Sequence, residues 1–193
     1  MREKNYLKNI YDIYDINENT RNYIIDISVE KYLNIFNNLD NAPLKIRDID
    51  KNIQLYLEDC SSDIPIEYGI DINFFITEEN RDEKKEKLVV SALESYYLLK
   101  LRLKKLSLKD SYINALNYIL ISFLLLLIGF SLESKLNRDI FCNTMLEGVN
   151  IGGWIFLWEA ISLIFFKLKD TNYEIDKINR FLRASISFTY KWR

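Results

Sequence analysis

The sequence predicts an α+β fold, in which a small cytosolic sheet-plus-helices domain carries an inserted two-helix transmembrane hairpin. Three observations carry this expectation: two long apolar blocks in the second half of the chain, three short β-branched or alternating segments on either side of them, and charged amphipathic stretches between. Composition sets the limits. The 193 residues hold 26 Lys+Arg against 28 Asp+Glu, 49% apolar residues and no His. So balanced a charge gives no drive onto nucleic acid, and the apolar fraction is too high for a disordered chain. Without His, a His-based triad and the commonest metal ligand are both excluded. Cys60 and Cys142 are too few for a disulfide framework or a zinc site, so neither metal nor cofactor is expected.

Residues 1–110 read as the cytosolic α+β part, with 17 Lys+Arg against 21 Asp+Glu. Residues 22–28 (NYIIDIS) have the β-branched character of a strand, and Ser28 is placed to N-cap a helix over VEKYLNIFNN. Pro43 closes the connection. A second helix is expected to begin near Asp48, with Ile46, Ile49, Ile53, Tyr56 and Leu57 on one face. Pro65 and Gly69 bracket a turn into 70–76 (IDINFFI), whose alternation predicts a half-buried strand. Thr77 is placed to cap a long amphipathic helix running to residue 110. Its Lys/Arg-rich last turns suit anionic lipid headgroups.

Residues 111–132 contain no charge, and as a helix they measure about 33 Å, enough for a hydrocarbon core of about 30 Å. An external loop follows at 133–147, then a second transmembrane helix at 148–167, whose stretch from Gly148 to Phe166 is interrupted only by Glu159. One carboxyl near the bilayer centre costs about 2.5–3.5 kcal/mol, which the large apolar neighbours offset. Lys100, Arg102, Lys104, Lys105 and Lys109 precede the first span and Lys167 and Lys169 follow the second, whereas the loop carries only Lys135 and Arg138. Both termini are therefore expected on the cytoplasmic side. Residues 168–193 supply a charged helix and a strand, with Ile186, Phe188, Tyr190 and Trp192 on one face, that completes the sheet.

Helical offsets place Gly148, Gly152 and Glu159 on one stripe of the second span, continued by Ser162 and Phe166, with Gly153 beside it. In the first span Ala115, Ser122 and Gly129 recur every seven residues and make a small-residue seam suited to close helix approach. An antiparallel hairpin puts Glu159 near the depth of Tyr118 and Ser122, so Tyr118, Ser122 or Asn117 is expected to hydrogen-bond it. Trp154 and Trp158 form a separate aromatic strip for packing or lipid contact. In the cytosolic part Asp48 and Asp50 read first as helix-capping carboxylates, and Arg47 beside them as a surface ion-pair or partner-binding residue. No phosphate loop, nucleophile elbow or paired-cysteine motif occurs.

Two blocks, Arg47-Asp48-Ile49-Asp50 and Glu147-Gly148-x-x-Ile151-x-Gly153-Trp154-x-x-x-Trp158, resemble an uncharacterised family of small bacterial two-span membrane proteins. That family has an RDLD-like helix start and an EGxxIxGWxxxW block opening its second span. The resemblance covers roughly residues 22–168 and implies the fold and a bacterial cytoplasmic membrane, but no activity. The expectation is a non-enzymatic membrane protein that forms a homo-oligomer through its hairpin and couples it to a cytosolic domain sensing a protein or small-molecule ligand, with the lipid bilayer as its other partner. A membrane-acting stress or defence effector is one concrete version. The alternative is a passive anchor or adaptor for a cytosolic partner.

Overall fold

The computed structural model describes residues 13–44, 46–78, 80–133 and 140–190. The chain forms two compact units, Met1–Arg102 with Asp176–Arg193, and Leu103–Ile175.

The first unit is built on β1 (Tyr23–Val29), β2 (Ile70–Ile76) and β3 (Ile186–Tyr190), in the order β1-β2-β3. Both pairings are parallel, Ile25 against Ile72 and Phe74 against Phe188. Parallel neighbours need a long crossover. Helix α1 (Lys51–Asp63) supplies the first, and the second contains α2 (Glu83–Glu133) and all the helix that follows it. Burial explains the strands, since Ile25, Ile27, Ile72 and Phe74 form one apolar face. That face shares a core with Ile53 and Leu57 of α1, with Val89, Leu93 and Tyr97 of α2, and with Ile178 and Phe181 near the end of the chain. Tyr97 and Phe181 stack at 4.5 Å between ring centroids. The opposite face carries a polar row beside the half-buried Ile24 and Phe75. Asn73 donates to Asp26 at 2.7 Å and accepts from Ser187 at 3.2 Å and Thr189 at 3.0 Å, a row that crosses all three strands.

Several local expectations are corrected. Ser28 lies inside β1, paired in register with Phe75, so it caps nothing, and a single 3-10 turn at Tyr32–Ile35 replaces the predicted helix. The cap of α2 is Asp82, which accepts from the amides of Lys84 (3.0 Å) and Lys85 (3.3 Å). Thr77 instead extends the β1–β2 pairing through its amide to the Val29 carbonyl. Ile46 precedes α1 and is exposed. Within the helix the buried stripe is Ile53, Leu57 and Cys60, while Tyr56 turns out to donate to the Asp26 carbonyl at 3.2 Å. The expectation for Trp192 lies outside the described residues.

Asp71 opens β2 on the polar face yet is only 3% exposed. Asn17, Thr20 and Asn22 donate to its carboxylate at 2.7, 2.7 and 2.9 Å, and the Ser185 amide at 3.2 Å, so one side chain ties the entry to β1 and the entry to β3 onto the central strand. The turn presenting those donors holds Arg21 at φ 61°, a left-handed conformation costly for a side chain with a Cβ. Burial alone raises the Asp71 pKa, but the donors from Asn22, Thr20, Ser185 and Asn17 outweigh it and leave the group below its ordinary 3.8. A carboxylate whose folded pKa is depressed stabilises fully above its unfolded pKa and loses that contribution as pH falls through the folded value. Wild type is therefore expected to lose stability below about pH 4 more steeply than Asp71→Asn, which is weaker at neutral pH by about 2–3 kcal/mol. Urea midpoints at pH 7 and pH 3 check this, and parallel pH profiles count against it.

In the second unit, α2 continues beyond Leu103 alongside α3 (Ile140–Ser162), a five-residue π turn (Leu163–Lys167) and the start of α4 (Leu168–Arg183). The helix starts at Ile140, so residues 140–147 of the predicted external loop are helical; 134–139 lie outside the described residues. The charged helix expected near the C-terminus likewise begins earlier, at Leu168, directly after the π turn. Both long helical stretches, Glu83–Glu133 and Ile140–Arg183, contain a segment long and apolar enough to cross a membrane.

The two run antiparallel. Tyr118 packs on Phe156 with ring centroids 5.8 Å apart, Gly129 abuts Asn150, Gly153 abuts Leu125 and Leu126, and Lys104 pairs with Glu174. Ala115 and Ser122 are buried on one side, and Leu146, Gly153 and Ala160 on the other, each set spaced by seven residues as close helix packing requires. A regular helix would next bring Lys167 and Glu174 to that seam. The π turn inserts one residue, so Leu168 and Ile175 are buried instead. Deleting Phe165 alone is therefore expected to leave a plain α-helix with the same seam and an unchanged melting temperature in detergent. Deleting Phe165 and Phe166 together puts the seam out of register by one residue and lowers that temperature by several degrees. Equal effects of the two deletions contradict the register reading.

Candidate functional site

The exposed surface of the helix pair is the most unusual feature of the molecule. Trp154, Trp158, Phe165, Phe166 and Phe123 are each at least 60% exposed, Trp158 reaching 73%. Soluble domains rarely leave so many large apolar groups contiguous and uncovered. Within the most apolar stretch of each helix only 17% and 11% of the residues are buried, which is opposite to the pattern of a core helix in a soluble protein.

Glu159 sits on this apolar surface. Its neighbour Ala160 is fully buried, and one residue back is a rotation of about 100°, which turns the carboxylate away from the seam. No hydrogen bond or ion pair to Glu159 forms among the described residues. The expected donors are engaged elsewhere or face elsewhere: Ser122 is buried in the seam, Tyr118 packs on Phe156, and Asn117 is exposed. The expectation that the hairpin itself satisfies Glu159 is thus corrected, because the packed stripe is Leu146, Gly153 and Ala160 rather than Gly148, Gly152 and Glu159. A side chain added at Gly148 would meet nothing within 4 Å, and one at Gly152 only Leu125 at 3.9 Å. The stripe of Gly148, Gly152, Glu159, Ser162 and Phe166 is therefore open, with two glycines that permit close approach and one carboxylate that lacks a partner.

The candidates of the sheet-bearing unit resolve into loop architecture. Arg47 donates to the Ala42 carbonyl at 3.0 Å, Asp48 accepts from the Ile49 amide at 3.0 Å, and Asp50 caps α1 through the Asn52 amide at 2.9 Å. Asp40, which sequence reading passed over, organises this loop by accepting from the amides of Asp48 and Ala42, and those bonds lower its pKa. These side chains are spent on local backbone and converge on no shared point.

The carboxyl ends of parallel strands are the usual ligand-binding edge of an open sheet. Here a hydrogen-bonded cluster occupies part of that edge. The hydroxyls of Tyr32 and Tyr190 lie 2.5 Å apart, Tyr190 donates to Glu86, and the Asp82 amide donates to Tyr32 at 3.3 Å. Burial, with the Glu86 and Tyr32 contacts, pushes the Tyr190 pKa well above the ordinary phenol value, so this hydroxyl stays protonated as a structural donor. Among the described residues no group of three or more His, Cys, Asp or Glu side chains is placed to hold a metal ion. Comparison with family models, with curated proteins and with solved structures finds no match to this chain.

Proposed function

We propose that this is a non-enzymatic bacterial membrane protein of two spans, inserted in the cytoplasmic membrane with both termini inside. It self-associates through the open face of its hairpin and carries a cytosolic sheet domain that senses or binds a ligand. The observation that supports this best is the low burial of the two apolar stretches, because the large side chains they leave uncovered need lipid or protein around them. The unpartnered Glu159 adds direction. Facing lipid it costs about 2.5–3.5 kcal/mol, a penalty that a hydrogen bond from a second copy relieves. In a stress or defence effector, ligand binding to the cytosolic domain would change the packing of hairpins in the assembly.

The native thiols test the placement without added labels. Cys142 lies at the start of α3, partly exposed, and Cys60 is buried in the core of the first unit. A membrane-impermeant maleimide is expected to modify Cys142 in intact cells and leave Cys60 unmodified. Protection of Cys142 in intact cells, with labelling only after permeabilisation, would overturn the proposed orientation.

A further inference from the structure

A cavity of about 440 Å³ lies wholly within the sheet-bearing unit, at the amino ends of β1 and β2. One wall is a single stripe of α4, at the i, i+3 and i+7 positions Asp176, Asn179 and Arg183. The other is the loop into β2, carrying Glu67 and Tyr68. The walls are fixed to one another by Arg180, which is 7% exposed and spends its guanidinium on backbone oxygens. Nη1 donates to the carbonyls of Ile64 (3.0 Å), Pro65 (3.1 Å) and Tyr68 (3.4 Å), and Nη2 to the carbonyl and hydroxyl of Ser61. The cavity is thus preformed, and its volume lies within the range of small-molecule sites. Its three other charged groups, Glu67, Asp176 and Arg183, make no ion pair or hydrogen bond among the described residues.

We propose that this cavity binds a small cationic zwitterion of the size of a dibasic amino acid. Two free carboxylates, Glu67 and Asp176, receive cationic groups, and the Arg183 guanidinium receives one carboxylate through a paired hydrogen bond. Tyr68, which also lines the cavity, supplies apolar contact for the chain between them. A phospholipid headgroup carries the same opposed charges. Titration in nanodiscs with and without that headgroup separates the two sources. The inference deepens the reading of the sheet domain as the sensing part and rests on it, but it does not depend on the hairpin self-associating.

The test is calorimetric titration of the full chain in nanodiscs with L-arginine, L-lysine and agmatine, the last retaining both cationic groups without the carboxylate. L-arginine or L-lysine is expected to bind, and agmatine more weakly by tenfold or more. Arg183→Ala is expected to weaken L-arginine about tenfold while leaving agmatine unchanged, so the two ligands converge, which a merely structural role for Arg183 would not produce. Asp176→Asn combined with Glu67→Gln is expected to abolish binding of both, with the melting temperature as the check that the fold persists. Absence of binding by either amino acid up to about 10 mM overturns the proposal, as does equal affinity for agmatine. A heat signal seen only in nanodiscs containing phosphatidylethanolamine assigns the cavity to a headgroup and overturns it too. Light scattering on the same samples separates the outcomes: a ligand-free but oligomeric protein defeats this inference alone, and a ligand-binding monomer defeats only the self-association reading.

Discussion

Arg180→Met is expected to cost the sheet-bearing unit about 3–5 kcal/mol, the largest single loss in that unit. The substitution keeps the length and apolar stem of the side chain, so what it removes is the guanidinium. Four backbone carbonyls, those of Ser61, Ile64, Pro65 and Tyr68, lose a donor together in a buried setting. They belong to the last turn of α1 and the loop after it, where unpaired carbonyls and the helix dipole both call for a cation. Because α4 reaches this point from the far side of the hairpin, the same bonds close the unit across more than a hundred residues of chain. Lysine at this position retains a charge but only one donating point, so Arg180→Lys is expected to recover less than half of the loss. Urea unfolding in detergent, followed by Trp-independent far-UV signal, measures both. A shift below about 1 kcal/mol for the methionine variant would show that water replaces the guanidinium without difficulty.

Gly153→Leu is expected to separate the two long helices. A Cβ there would lie 2.8 Å from Leu126 Cγ and 2.9 Å from its Cδ2, closer than carbon atoms approach, with Leu125 Cβ at 3.4 Å behind them. The neighbour is a branched side chain held in the seam, so relief requires the helices to move apart, at about 1–3 kcal/mol or more. Gly148→Leu provides the contrast, since a Cβ at Gly148 meets nothing within 4 Å. The first variant is expected to lose hydrogen-exchange protection along α3 in the isolated chain. The second is expected to keep that protection and lose only contacts between copies. Equal protection in both would mean that the helices do not pack closely at Gly153.

Much of the architecture was legible because it is local. Alternation and β-branching mark β1, β2 and β3, and uncharged length marks the two long helices; Ala115, Ser122 and Gly129 already show the sevenfold spacing of the seam. The features that escaped depend on partners far away in the chain. Asp71 looked like a solvent-facing residue of an alternating strand, since its four donors come from the loop before β1 and from Ser185. Arg180 reads as one charge on an amphipathic helix, although its place between the buried Ile178 and Phe181 was a hint that it is enclosed. Two neighbouring stripes of α3 contain small residues, and local sequence does not say which one packs; the structure selects Gly153 and Ala160, which turns Glu159 outward. The π turn is invisible to any fixed period, because its effect is to add one residue to that period.

The most direct test of self-association is the mass of the nanodisc-embedded protein by light scattering, for wild type and for Glu159→Leu. The expected result is a defined oligomer for wild type and a shift to monomer when the outward carboxylate is removed, with the fold of each chain intact. A wild-type protein that is monomeric at every concentration, or an oligomer unaffected by Glu159→Leu, would contradict the assignment of this face to contacts between copies and leave the hairpin as a membrane anchor.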